Sequence, residues 1–321
     1  MPTTSGTLAG SLLDVVAKAG AEFAVLHRES EILDGAVTSD IDIAVGGDAL
    51  STVRALIEPA DAIGLAPVLV HPYDIRSVTT FWATADAREG VQLDLTCDPR
   101  GLGRDGFRTT KMLAHAKAGT RWPVLDELDQ ALYLLRKRQM KRDAVRTADA
   151  LWDVQSHFGV GAAADRAEVL FGRGAGASVQ NLLRRGADAR NRGVGAHLFR
   201  SIRRVVWRVA QPIGFWVDLE DAAARPSMGE AVAARFGRFL IGSVFVARAG
   251  GGLQNGAALS REFVLRRWRA QLLVTTGVNS TWPRPDCTAQ ATDRDLDAVS
   301  TVVVGAMRDR TVARIGDGRR E

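Results

Sequence analysis

The stretch that most constrains this chain is Thr38-Ser39-Asp40-Ile41-Asp42-Ile43-Ala44-Val45. Carboxylates alternate with branched apolar residues, which is the period of a strand with one buried face. Asp40 and Asp42 then share a face, while Ile41 and Ile43 point into a core. Aspartate is a poor strand former, and two like charges so close repel. A cation held between them turns that repulsion into a site. Mg²⁺ suits it, since that ion takes one or two carboxylates together with the phosphate oxygens of a bound nucleotide. A second apolar stretch, Val91-Gln92-Leu93-Asp94-Leu95-Thr96, offers a third carboxylate on another strand. Three strand-borne aspartates point to metal-assisted chemistry on a phosphate.

The surrounding pattern alternates helix and strand. Leu8, Leu12, Val15, Val16 and Ala19 recur at helical spacing, so residues 6–19 read as an amphipathic helix closed by Gly20. Residues 22–26 read as a short strand, and a polar loop leads to the Asp-Ile-Asp strand. Asp48 is placed to cap a helix running through Leu56. Strands are expected at 68–70, 77–83 and 91–96, a helix at 107–118, and one long helical region at 125–157. Farther on, helices are expected at 197–210, 229–240, 261–268 and 296–308, and strands at 213–219, 243–247 and 271–275. A composition shift at 158–164 marks a candidate domain boundary, and 321 residues suffice for two cores.

The strand, loop and Asp-x-Asp order resembles the nucleotidyltransferase (DNA polymerase β-like) superfamily. The resemblance rests on Phe23-Ala24-Val25-Leu26-His27-Arg28, then Ser39-Asp40-Ile41-Asp42-Ile43-Ala44-Val45, then Leu93-Asp94-Leu95. It covers roughly residues 5–145 and is nearest to little-characterised bacterial nucleotidyltransferases. It implies an N-terminal nucleotidyltransferase-fold mixed sheet with helices and a helical extension; the strand–helix alternation of the second half adds a smaller C-terminal α/β domain, for an α/β (α+β) fold overall. The division falls at 1–158 and 159–321. It also implies transfer of a nucleoside monophosphate from an NTP to a hydroxyl or phosphate acceptor, whether small molecule, saccharide or RNA. Asp40, Asp42 and Asp94 would hold Mg²⁺ (or Mn²⁺), with Asp94 also serving as base on the acceptor side.

The superfamily usually carries Gly-Ser or Gly-Gly after its first strand, where backbone N–H groups reach the triphosphate. Here His27-Arg28-Glu29-Ser30 stands instead, without glycine, and Glu29 and Glu31 work against an anionic ligand. Arg28, Ser30 and Ser39 are the candidate phosphate contacts, by a charged fork and by hydroxyls. Lys137 and Lys141, one helical turn apart, are further candidates by analogy with the helix that follows the catalytic sheet in such enzymes. A basic cluster on a helix is more often just a solvated face.

Other readings stay open. The missing glycine fits a catalytically inactive scaffold or regulatory protein of the same fold. Arg200, Arg203, Arg204 and Arg208 around Trp207 fit an RNA-modifying toxin, or simply an amphipathic helix. Gln211-Pro212-Ile213-Gly214-Phe215-Trp216-Val217 resembles the opening of a P-loop kinase-like domain. No G-x-x-x-x-G-K-[ST] follows, so any such domain is degenerate. The five histidines make no metal-ligand pair; His27 alone ends a strand beside the proposed site.

Composition excludes several classes. With 46% apolar and 25% charged residues the chain is globular and not disordered. A net charge of +5 admits a phosphate-bearing ligand but does not mark a nucleic-acid binder. Two distant cysteines, Cys97 and Cys287, give neither a metal spacing nor a disulfide framework. With no leader pattern and no bilayer-length apolar run, the expectation is a cytoplasmic protein without membrane contact.

Overall fold

A computed structural model describes residues 5–35, 40–74, 77–98, 107–141, 144–185, 214–220, 227–240, 244–248, 272–276, 285–291 and 295–316. The fold is mixed α/β. Its larger sheet has seven strands in the order β3-β4-β5-β2-β1-β7-β6. In chain order these are β1 (Phe23–Val25), β2 (Asp40–Val45), β3 (Leu65–Asp74), β4 (Ser77–Thr84), β5 (Gly90–Thr96), β6 (Lys117–Ala118) and β7 (Pro123–Val124). β2 runs parallel to β5 and antiparallel to β1, so the central strands mix both senses.

One face of this sheet is closed by α1 (Ser5–Lys18) and α3 (Ala49–Asp61). Leu12, Val16, Val53 and Leu56 meet Ile41, Ile43, Leu93 and Leu95 in one buried cluster. This is the partition that strand alternation dictates: each isoleucine goes inward and each aspartate goes to the opposite face. α3 starts where the sequence places it, with the Asp48 side chain accepting from the Ser51 N–H at 2.7 Å.

The opposite face carries the carboxylates, and two separate groups of elements pack on it. On the β1 side lie α4 (Thr109–Ala114), α5 (Glu127–Lys141), α6 (Ala144–His157), α7 (Val160–Phe171) and α8 (Ala175–Arg185). Their Met112, Leu132, Leu135, Val154, Leu170 and Val179 share a core with Ala24, Leu26 and Ala44. The helical region expected over 125–157 comprises α5 and α6, which pack on one another. One expectation is corrected here. The helix read over 107–118 stops at Ala114, because Lys117 and Ala118 pair with Val124 and Pro123.

On the β4 side lies the second sheet, β11-β8-β10-β9, whose paired strands are all parallel. It comprises β8 (Phe215–Glu220), β9 (Val244–Arg248), β10 (Leu272–Thr276) and β11 (Cys287–Gln290), with α9 (Ser227–Gly237) and α10 (Leu296–Gly316) packed on it. Phe81 and Ala83 of β4 share its core with Val217, Phe236, Val274 and Val303. At Gly90 on β5 the approach leaves no room for a side chain, since a Cβ would lie 2.4 Å from the Phe239 ring. α10 runs along the outer strand β3: the Thr311 hydroxyl donates to the Val68 carbonyl at 3.2 Å, and Arg54 donates to the Ile315 carbonyl. The helix extends past the expected end at Arg308 because Thr311 and Ile315 continue the buried stripe of Val304 and Met307.

The helices expected at 197–210 and 261–268 lie outside the described residues. α7 begins at Val160, inside the composition shift that suggested a boundary, and packs with α5 and α6. Among the described residues, no helix is long and apolar enough to cross a membrane.

Candidate active site

The parallel pairing of β2 with β5 sets Asp42 directly opposite Asp94, with Asp40 two residues earlier on the same face. Each of Asp40, Asp42 and Asp94 offers an oxygen within 4.8 Å of the other two. The strands form because Ile41, Ile43, Leu93 and Leu95 are buried on the far side, so a strong hydrophobic drive holds three carboxylates together against their repulsion.

Asp42 is the most enclosed, at 3% exposure. His27 Nε2 lies 2.6 Å from its Oδ2, Lys137 Nζ contacts the same oxygen, and Tyr133 hydrogen-bonds to the Asp42 carboxylate. Burial alone would raise this carboxyl; the His27 hydrogen bond and the Lys137 charge outweigh it and hold the group well below the usual carboxylate range. Lys137 Nζ also lies 3.8 Å from Asp40 Oδ2.

Asp94 is treated differently. Burial, then the charge of Asp42, push its carboxyl up to about 6. Opposing them, the Thr79 hydroxyl donates to Asp94 Oδ1 at 2.6 Å and the Gln92 amide at 2.9 Å. Thr79 stands in register with Asp94 on β4, and Gln92 precedes it by two on the same face. The Tyr133 phenol is pushed well above its ordinary value, by burial first and then by the charges of Asp42 and Asp94. Its ring stacks on His27 with centroids 5.8 Å apart and planes at 26°.

The donor set is carboxylate oxygen throughout, which suits a hard divalent ion such as Mg²⁺ or Mn²⁺. Asp42 faces Asp94 across the ladder, and its charge adds to burial in raising the Asp94 carboxyl, so a cation shared between them would relieve that repulsion. The residues therefore fit such an ion.

The loop after β1 has an informative shape. Arg28 adopts φ 67°, ψ 30°, the left-handed conformation that glycine takes without cost. It opens α2 (Glu29–Leu33), and its guanidinium lies 3.4 Å from Glu31. Glu29 is turned away from the site: its carboxylate accepts from the backbone N–H groups of Thr120, Arg121 and Trp122 at 2.9–3.3 Å. It thereby ties α2 to the β6–β7 hairpin, and its charge does not stand free beside the loop. Ser30 is exposed on α2.

Of the sequence candidates, Asp40, Asp42, Asp94 and Lys137 come together. Arg28 and Ser30 lie on the loop and helix that follow β1, at the same end as His27. Ser39 lies outside the described residues, as does the side chain of Lys141, whose backbone ends α5. Tyr133, Thr79 and Gln92 are not singled out by the sequence, and His27 is marked there only as ending a strand beside the proposed site. Tyr133 carried a usable signal, since it precedes Lys137 by one helical turn. Comparison with protein-family models, with curated proteins and with solved structures finds no match to this chain.

Proposed function

We propose that this protein is a metal-dependent nucleotidyltransferase that moves a nucleoside monophosphate from an NTP to a hydroxyl or phosphate acceptor. The observation that carries this reading is the convergence of three aspartates from two adjacent parallel strands, Asp42 opposite Asp94. Asp40, Asp42 and Asp94 would hold Mg²⁺ or Mn²⁺, which when bound neutralises the phosphates and stabilises the entering and leaving oxygens.

The chain's own residues supply the rest. With a hydroxyl acceptor, the oxygen attacks the α-phosphorus, the bond to pyrophosphate breaks, and pyrophosphate leaves. Asp94 is suited to take the hydroxyl proton, because a carboxyl near 6 is mostly ionised at neutral pH yet more basic than an ordinary aspartate. Lys137 and Arg28 are the candidate phosphate contacts. Arg28 keeps the left-handed backbone that a glycine would have, which supports a retained turn for phosphate after β1. His27 and Tyr133 fix the orientation of Asp42. The second sheet's core packs on the same face farther along β5, with Phe239 against Gly90 about 13 Å from Asp94, which suits a part in acceptor choice.

The test is calorimetry with ATP, GTP, CTP and UTP in Mg²⁺, wild type beside Asp40→Asn/Asp42→Asn. Metal-dependent binding of an NTP that the double variant loses supports the reading. Absence of binding for all four NTPs in the wild type sinks it in favour of a scaffold on the same fold.

A further inference from the structure

We infer that Lys137 is a built-in counter-ion that makes this site take a divalent ion together with a nucleotide and not by itself. The inference rests on the nucleotidyltransferase reading and deepens it, by stating the form in which the donor is recognised: a metal–nucleotide complex.

Lys137 Nζ contacts Asp42 and lies 3.8 Å from Asp40, two of the three carboxylates of the cluster. It stands where a cation shared by those two groups would stand. Its stem rises from α5 beside Tyr133, with Nζ 5.8 Å from the ring centroid, and the side chain is only 15% exposed. Among the described residues, the carboxylates paired with it or feeling its charge are Asp40, Asp42 and Asp94.

Two consequences follow. A divalent ion drawn to the same oxygens meets a positive charge already there, and like charges at this range repel strongly in a partly buried site. The ammonium must therefore withdraw, yet an enclosed ammonium without an anionic partner is costly. A metal ion arriving alone offers it no replacement. A nucleotide does, because its triphosphate brings oxygens that accept from an ammonium as a point charge. Lysine suits the task better than arginine, since its long flexible stem lets one charge move between two partners. His27 and Tyr133 remain on Asp42 throughout, so the carboxylate keeps its orientation while the lysine exchanges. Metal and nucleotide then bind with positive coupling, each raising the affinity for the other by the same factor.

The experiment measures Mn²⁺ alone, by electron paramagnetic resonance of the free ion, against wild type, Lys137→Met, Lys137→Gln and Lys137→Arg. The same titration is repeated with a non-hydrolysable analogue of the NTP found to bind. Wild type is expected to bind Mn²⁺ alone weakly and at least tenfold more tightly with nucleotide. Lys137→Met and Lys137→Gln are expected to bind Mn²⁺ alone at least tenfold more tightly than wild type, with the nucleotide effect lost. Lys137→Arg keeps the charge and should stay weak for Mn²⁺ alone. Thermal shift gives a second readout on protein that is demonstrably folded: Mn²⁺ alone should raise the melting temperature of the neutral variants more than that of wild type. Equal or weaker Mn²⁺ binding in both neutral variants, with nucleotide still bound by wild type, overturns the counter-ion and leaves the transferase reading standing. Tighter Mn²⁺ binding in the neutral variants, with no nucleotide bound by any form, overturns the transferase reading and the coupling with it.

Discussion

Two strands in this molecule bury an aspartate to the same depth and treat it in opposite ways. Asp42 on β2 and Asp218 on β8 are each 3% exposed. Each stands in a parallel ladder opposite one residue of its neighbour, Asp94 for Asp42 and Thr275 for Asp218. The Thr275 hydroxyl donates to Asp218 at 2.6 Å and accepts from the Trp216 indole at 2.8 Å. There the register partner is itself a donor to the carboxylate, and the three side chains form a polar link within an apolar core. Opposite Asp42 stands another carboxylate. Its charge has to be met from outside the strand pair, by His27 and Lys137. Burial is common to both; the register partner differs, a hydroxyl donor opposite Asp218 and a second carboxylate opposite Asp42.

The largest effects should separate the two. Asp42→Asn is expected to weaken Mg²⁺-dependent NTP binding by at least a hundredfold in calorimetry, whereas Asp218→Asn should leave it within a few-fold. Equal losses would break the comparison.

Asp94→Asn should raise the stability of the metal-free protein while abolishing transfer. Its carboxyl is raised in the folded state to about 6, so ionisation opposes folding. That cost is absent below the unfolded value near 4, grows between, and is complete above about 6. Urea unfolding at pH 8 should therefore find the variant more stable on the order of 1–3 kcal/mol, with the gain vanishing at pH 4. By the same titration, metal–nucleotide affinity in the wild type should fall as pH drops below 6, because protonated Asp94 cannot ligate.

Thr275→Val should cost about 1–3 kcal/mol, because a buried carboxylate and an indole N–H lose their shared partner, with no change in NTP affinity of the folded protein. A change in affinity there would show that the second sheet reaches into the site. The smallest effect is expected at Arg28→Gly. Relief of the left-handed backbone should add under about 1 kcal/mol in thermal unfolding. Loss of the guanidinium should lower NTP affinity a few-fold if Arg28 meets phosphate.

Much of the first sheet is legible in the sequence, because its signals are local. Alternation in 40–45 and 91–96 is enough to give both strands and the face of each aspartate, and Asp48 announces the start of α3. The pairing of Asp42 with Asp94 is not local: β3 and β4 intervene in the chain, and only the sheet order makes β2 and β5 neighbours. The roles of His27 and Tyr133 are hidden for a related reason, His27 being legible only as the end of a strand beside the site. Each reads as an ordinary buried ring until the fold brings both onto one carboxylate. Arg28 shows the converse, since residue identity denies a glycine turn that the backbone nevertheless adopts. β11 escaped notice because its short run, Cys287–Gln290, has one fully buried residue and little apolar pattern.

The α10 helix that lies along β3 also has a consequence in time. The seven-stranded sheet is encoded by the first 124 residues, so it can form long before α10 has left the ribosome. Until then β3 is an outer strand of ten residues, with the Val68 carbonyl still lacking the hydroxyl of Thr311. A growing chain thus displays an adhesive edge for most of its synthesis, and neighbours on one polysome display the same edge. Shielding by a chaperone, or slow production, should matter more for the yield of this protein than its final stability would suggest.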